Sequence, residues 1–405
     1  MRALAAAAAI AIASAPASAN ETGRGDDSGP FHFQATVATQ AHPSFHAAYS
    51  GKNSLSPDAE SATSVVLDLS ATVHPWTGSE ITVQGELAGG RGLSSTLGVA
   101  AFPSGEVYRV GNPEPTIILA RAQLRQSFGP WTLTLGKLST PDLFDKVPYA
   151  SDPHTQFMSW GLWASAAYDY PADVRGYTVG LAAEWSRDWL SARAAIFLEP
   201  TEANGSELES DVTRSRGLVA EVEARFARWA SRLLLFLNTA PMGSYDEAIA
   251  RHVDVSQTRA DGRTKAGFAA SVNVDFGAGL GGFTRLSFND GQNETWAFTE
   301  IDRSIALGAT QSGARWGRDL DEAGAAVVLS GLSAAHRRYL EGGYGFLIGD
   351  GALNYGPEIL GEIYYRAGLT PLLSVGVTYQ LIVHPAYNRD RGPANVFTGR
   401  AHVAF

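Results

Sequence analysis

The chain ends on an alternation that few architectures tolerate. In Asn395–Phe405, positions 397, 399, 401, 403 and 405 carry Phe, Gly, Ala, Val and Phe, while Arg400 and His402 sit on the opposite parity. Period two is the signature of a β-strand with unlike faces. No polar tail follows Phe405, and a frayed terminus in water would expose that ring. A strand that closes a membrane barrel puts the same ring into lipid. The last strand therefore predicts a closed transmembrane β-barrel, with Phe397, Val403 and Phe405 toward lipid beside the first strand near Phe31–Val37. Arg400 and His402 are expected to face water in the lumen.

The start of the chain fits that compartment. Met1-Arg2, the apolar run Ala3–Ala13 and Ala17-Ser18-Ala19 read as a signal peptide over residues 1–19, cleaved after Ala19. Its loss removes Arg2 and moves the net charge from −10 to −11. The absence of cysteine excludes a disulfide framework and thiolate chemistry. No later apolar run reaches the ~18 residues that a spanning helix needs. The acidic balance argues against a nucleic-acid partner.

Two-faced segments recur along the chain after Ala19. Val65 to Val73, Ile81 to Leu87, Ala120 to Leu124, Leu218 to Phe226, Phe268 to Phe276 and Leu373 to Leu381 each alternate apolar residues with polar or charged ones. A β-sandwich strand alternates too, so pattern alone leaves that architecture open; the signal peptide and the aromatic end favour the barrel. Such segments number about sixteen, an even count that suits bacterial barrels. They leave ~24 residues per strand and connection, against ~10 needed to cross. Loops hold the surplus: Gly89–Pro115, Leu138–Gly176, Asn289–Arg303 and Ser333–Pro357 read as long. Pro113-Glu114-Pro115, Ala203-Asn204-Gly205 and Gly129-Pro130 read as tight. Residues 20–405 are expected to form one domain. Asn293-Glu294-Thr295 and the acidic run Glu207, Glu209, Asp211 are read as ordinary loop, neither a glycan acceptor nor a calcium site.

Several ordered stretches resemble the OprB family of carbohydrate-selective porins. They are Lys52–Pro57 with Glu60, Glu86 with Gly90–Ser94, Gly105–Gly111, Gly136–Ser139 through Trp160, Asp169–Asp173 with Arg175-Gly176, and Tyr379-Gln380 through Phe397. His384 and Ser159 depart from the family pattern, which carries asparagine at both places. The departures are read as leaving the fold intact and the substrate preference open. The resemblance implies a sixteen-stranded barrel in the bacterial outer membrane, loops folded toward the pore, and passive diffusion of sugars such as glucose.

A sugar offers hydroxyl edges and a weakly apolar face, so its channel needs paired donors and acceptors with aromatic surface. Opposite charges at a narrowing bond hydroxyls while cancelling the field that would favour one ion. The candidates are Glu106 with Arg109, Arg121 with Arg125, Glu86 with Arg91, and Asp142, Trp160 and Trp163 in the longest loop. For each charge the other reading is a tie between wall and loop. For Trp160 and Trp163 it is a place in the interfacial aromatic girdle. Tyr364, Tyr365, Trp185 and Phe226 are assigned to the girdle or the lipid face. A pore selective for charged solutes, or a plugged structural barrel, stays open beside the sugar channel. The nine histidines are scattered, and no nucleophile or metal motif accompanies them, so no enzyme and no cofactor are expected. The expected partners are sugars, outer-membrane lipid and lipopolysaccharide, and the assembly machinery acting through Phe405.

Overall fold

The computed structural model describes residues 29–109 and 114–405. Sixteen antiparallel strands close into a barrel, with the first hydrogen-bonded to the last. They are β1 (Phe31–His42), β2 (Glu60–Val73), β3 (Ser79–Gly90), β4 (Thr116–Phe128), β5 (Trp131–Leu138), β6 (Thr178–Arg187), β7 (Leu190–Phe197) and β8 (Arg216–Arg225). The second half comprises β9 (Trp229–Ala240), β10 (Arg263–Gly277), β11 (Leu280–Asn289), β12 (Arg303–Ser312), β13 (Glu322–Gly331), β14 (Glu358–Gly368), β15 (Leu373–Val383) and β16 (Ala394–Ala404). Closure pairs Gln34–Ala41 of β1 with Phe397–Ala404 of β16. Eleven residues of β16 at ~3.3 Å each, tilted ~40°, reach ~28 Å, enough for the apolar belt of such barrels.

Short connections, such as 129–130, 188–189 and 278–279, share one end of the barrel with both strand termini. The opposite end carries the long ones, among them L2 (residues 91–115) and L3 (139–177). Short turns mark the periplasmic end of barrels of this kind. Of the connections expected to be long, L3, 290–302 and 332–357 are so, and L2 begins after Gly90 because β3 runs through it. Ala203-Asn204-Gly205 is not a tight connection: it lies inside an eighteen-residue loop, 198–215. The signal peptide and its cleavage point lie outside the described residues, as do residues 110–113.

The strands turn large apolar side chains outward. Ile117, Leu307 and Val377 are 73%, 62% and 64% exposed, a surface that costs about 25 cal/mol per Å² in water and nothing comparable in lipid. Trp76, Trp131, Trp189, Phe226 and Trp229 ring the short-turn end as an interfacial girdle. Phe226, Tyr365 and Trp185 face outward as expected. Tyr364 does not. Its ring is 4% exposed inside the barrel, against Phe157, and its hydroxyl donates to Glu322 at 2.5 Å. Parity decides this: Tyr364 shares its face with Glu362, and Tyr365 shares its own with Ile363.

One strand breaks its alternation. Gln84 of β3 pairs with Arg121, and Gly85 pairs with Leu119, so β4 bulges at Ala120. Ala120 is fully buried, and Arg121 follows it inward rather than facing away. The expected single apolar face of Ala120, Ala122 and Leu124 is thus corrected, and the bulge is what aims Arg121 at the lumen.

The hydrophobic core sits inside the barrel. Loop residues Phe144, Phe157, Leu162 and Tyr168 pack there against wall residues such as Leu234, Phe283 and Val328. Among the described residues no helix is long and apolar enough to cross a membrane.

Candidate functional site: a loop-built constriction

Buried charges on the wall hold L3 and L2 in the lumen. Glu362 of β14 accepts the amides of Met158 and Ser159 at 2.7 and 2.9 Å. Glu221 of β8 accepts the Asp145 amide at 2.8 Å. Arg285 of β11, 1% exposed, donates to the Asp145 carboxylate at 2.6 Å and to the carbonyls of Ala150 and Trp163 at 3.1 and 3.0 Å. Glu358 accepts the amides of Ala100 and Ala101 in L2 at 3.0 and 2.7 Å. Loop N–H groups, with Arg193 on Glu221 and Gln380 on Glu362, fill the acceptor sites of these carboxylates and offset their desolvation.

The two loops are also stitched to each other. Ser159 donates its hydroxyl to the Ala101 carbonyl at 2.6 Å, and the Gly105 amide donates to the Met158 carbonyl at 3.0 Å. Ser159 therefore bears on the loop fold, contrary to the expectation that it leaves the fold untouched. A side chain at Gly105 would put its Cβ 2.3 Å from the Trp163 indole nitrogen, so only glycine allows this approach.

Trp160 and Trp163 belong to neither the girdle nor an open face. Their rings meet edge to face at 5.1 Å in a short helix, α1 (Trp160–Trp163), and are 3% and 6% exposed. Tyr170 and Phe298 stack around Trp160 at 5.5 and 5.9 Å. The remaining cavity among them holds about 10 Å³, one water's room. These aromatics shape the loop wall.

The wall of β1–β4 carries a polar stripe at one height. Gln34, Asp68 and Glu86 are in register across three strands, and Gln84 lies one inward position below Glu86, opposite Arg121. Arg121 forms a bidentate pair with Asp142 of L3 at 2.6 and 2.7 Å and donates to Gln84 at 2.5 Å. Its guanidinium lies 5.4 Å from the Tyr177 ring. Side-chain exposures of 17% and 31% leave this pair in reach of a solute. Burial would raise the Asp142 carboxyl, but the Arg121 guanidinium outweighs it and holds the group below its ordinary value. His154 of L3 bridges to Glu106 of L2 at 3.5 Å and to Thr36 at 2.9 Å, and Gln34 donates to Asp68 at 2.7 Å.

Glu86 and Arg91 do not meet, and Arg121 and Arg125 stand apart. Glu86 is fully buried and takes Arg175 at 3.2 Å and the Tyr177 hydroxyl at 2.6 Å from the end of L3. Arg91 stands exposed at the rim beside Glu60 and Ser94, ~16 Å along the chain from Glu86. Arg125 sits near the short-turn end with His74, Trp76 and Glu80, well away from Asp142. The Arg109 backbone closes a turn of helix, Gly105–Arg109, and its side chain lies outside the described residues. Arg400 and His402 face inward but are covered rather than bathed in water: Arg400 donates to the Pro153 carbonyl at 2.8 Å, and His402 stacks on His154 at 5.9 Å. Asp68, Gln84, Gln34 and His154 went unpredicted. The first two stand on the inward parity of segments read correctly as strands; His154 depends on the path of L3.

The sequence that builds this barrel and its two inward loops matches a known family. The profile of the carbohydrate-selective porin family OprB matches residues 52–405. The chain belongs to the OprB family of carbohydrate-selective porins. Among solved structures, the high-pH structure of Pseudomonas putida OprB is similar at 16% identity and a TM-score of 0.74, covering 93% of this chain and 94% of that one. The low-pH structure of the same protein gives 13% identity and 0.52, covering 93% and 92%. The outer membrane channel DcaP of Acinetobacter baumannii gives 10% and 0.53, covering 95% and 100%. At these identities the likeness shows the fold. A search of curated protein sequences found no match. Family and fold make this OprB member an outer-membrane sugar porin, a channel.

Proposed function

We propose that this chain passes uncharged hexoses, glucose among them, by passive diffusion into the periplasm. Arg121, Asp142, Glu106 and Arg109 bond the hydroxyls in turn, while Glu86, Trp160 and Trp163 position L3. Arg91 and Arg125 lie at the two mouths and act at most on entry and exit. The observation that carries this reading is the partly exposed Arg121–Asp142 pair. It offers donors and acceptors together, with charges that cancel, so a neutral polyol gains bonds where an ion gains no net field. The same reading includes export by residues 1–19, one barrel domain over 20–405, a lipid environment, and recognition of Phe405 by the assembly machinery.

Liposome swelling tests it. Arg121→Ala and Asp142→Asn are each expected to change glucose permeation severalfold while the barrel still assembles. Unchanged glucose flux in both would remove the pair from the sugar path. Preferential uptake of charged solutes by the unaltered protein would favour a differently selective pore.

A further inference from the structure

The outward face of β10–β15 is not a smooth apolar wall. Gly282, Ala325 and Gly361 put almost no side chain on it, while Phe276, Leu307 and Ile363 stand up beside them. The result is an apolar trough of about 780 Å³. It follows the register Leu307, Val327, Gly361, Leu381 across four strands. It runs obliquely: on β15 it comes within two residues of the extracellular strand end at Val383, ~7 Å, and on β10 and β11 it reaches Phe276 and Gly282 beside the periplasmic turn 278–279.

A basic cluster caps the same strands. Arg303, the first residue of β12, points outward and is exposed. Its side chain crosses Gly331, where an added Cβ would stand 3.2 Å from Arg303 Cγ and 3.4 Å from the Tyr355 hydroxyl. Arg337, on the helix Ala334–Glu341, lies 4.5 Å over the Tyr355 ring. Arg389 packs beside the next residue, with its Nε 2.8 Å from the Cβ position of Gly356. Glu341 neutralises Arg337 at 2.6 Å, and Asp390 turns away to Tyr49 and Asn354. Among the described residues neither Arg303 nor Arg389 has a carboxylate partner.

A trough in the lipid face admits an acyl chain, and guanidiniums without a carboxylate partner above it admit phosphate, although Arg303 gives one N–H to the Leu332 carbonyl. From Leu307 up to Arg303 on one outward face is ~13 Å, within the length of one fatty acyl chain. Both ends lie on one ligand only if the acyl chains and the phosphate belong to one molecule of the outer leaflet. We infer that the extracellular part of this face, on β12–β15, forms a docking site for lipid A, the phosphorylated, multiply acylated anchor of lipopolysaccharide. The inference rests on the loops facing outward and not on the sugar reading, so either can fail alone.

The test is native mass spectrometry of the full-length barrel titrated with purified lipid A, with phosphatidylglycerol as the competing phosphate lipid. The unaltered protein is expected to retain one lipid A in preference to phosphatidylglycerol. Gly361→Leu fills the trough from a position with open space around its Cβ. Arg303→Ala with Arg389→Ala removes the cations. Each is expected to weaken binding about tenfold or more, the worth of one charge-assisted contact, with an unchanged β-sheet circular-dichroism signal to report an intact barrel. No lipid A retained, equal retention of phosphatidylglycerol, or unaltered affinity in both variants would overturn the inference.

Discussion

Arg285 shows how one side chain sets the bore of the pore. It sits on a strand read correctly as two-faced, at an inward position, and it spends its donors on Asp145, Ala150 and Trp163 rather than on solute. Arg121 is the same residue type on the same kind of face, yet it stays partly exposed. Nothing in the alternation separates the two, because the path of L3 decides which wall charge is covered. Removing one partner of a buried pair costs on the order of 3–5 kcal/mol, since the other charge stays buried. Arg285→Ala is therefore expected to lower the unfolding midpoint and to loosen L3, giving larger and noisier single-channel currents. Currents identical to those of the unaltered protein would mean that L3 is held in place by its other anchors alone.

At the scale of elements, strands were legible and their irregularities were not fully read. Ile117 and Leu119 are apolar on odd positions and Ala122 and Leu124 on even ones, so the parity flip at the β4 bulge was present in the residues. The extracellular loops were harder, because their packing partners are distant in sequence. His336, on the helix Ala334–Glu341, is one such partner: its nitrogens meet Glu300 and Asp302 at 3.0 and 3.1 Å, and Tyr245 stacks on its ring at 4.4 Å. Burial would lower its pKa, but Asp302 and then Glu300 outweigh that and lift it from 6.5 to about 9. A raised pKa means that the stabilisation is complete below about 6.5 and is lost as pH climbs through about 9. Amide exchange over residues 290–302 and 334–341 is expected to quicken between those values and to lose that step in His336→Ala. A flat profile across the window would contradict the linkage.

The whole molecule inverts the usual arrangement of a folded protein. Its apolar exterior is for lipid, its core is two loops folded into the lumen, and the charged side chains between them decide where the loops stop. The terminal strand announced the barrel, and the family-like stretches between residues 89 and 176 announced the loops that narrow it. Which charges would meet was not announced: Glu86 found Arg175 instead of Arg91, and Arg121 found Asp142 instead of working with Arg125. Deleting Phe405 is expected to cut the yield of inserted barrel while leaving the conductance of each channel unchanged, since its ring packs at 5.2 Å against Phe33 on the outer face and not on the pore. The central claim is that the narrowing accepts a neutral sugar better than an ion. Single-channel recording with a panel of mono- and disaccharides tests it most directly. A small ionic current that glucose blocks reversibly, with weaker block in Arg121→Ala, is the predicted result; a large current that no sugar affects, or no current at all, would contradict it.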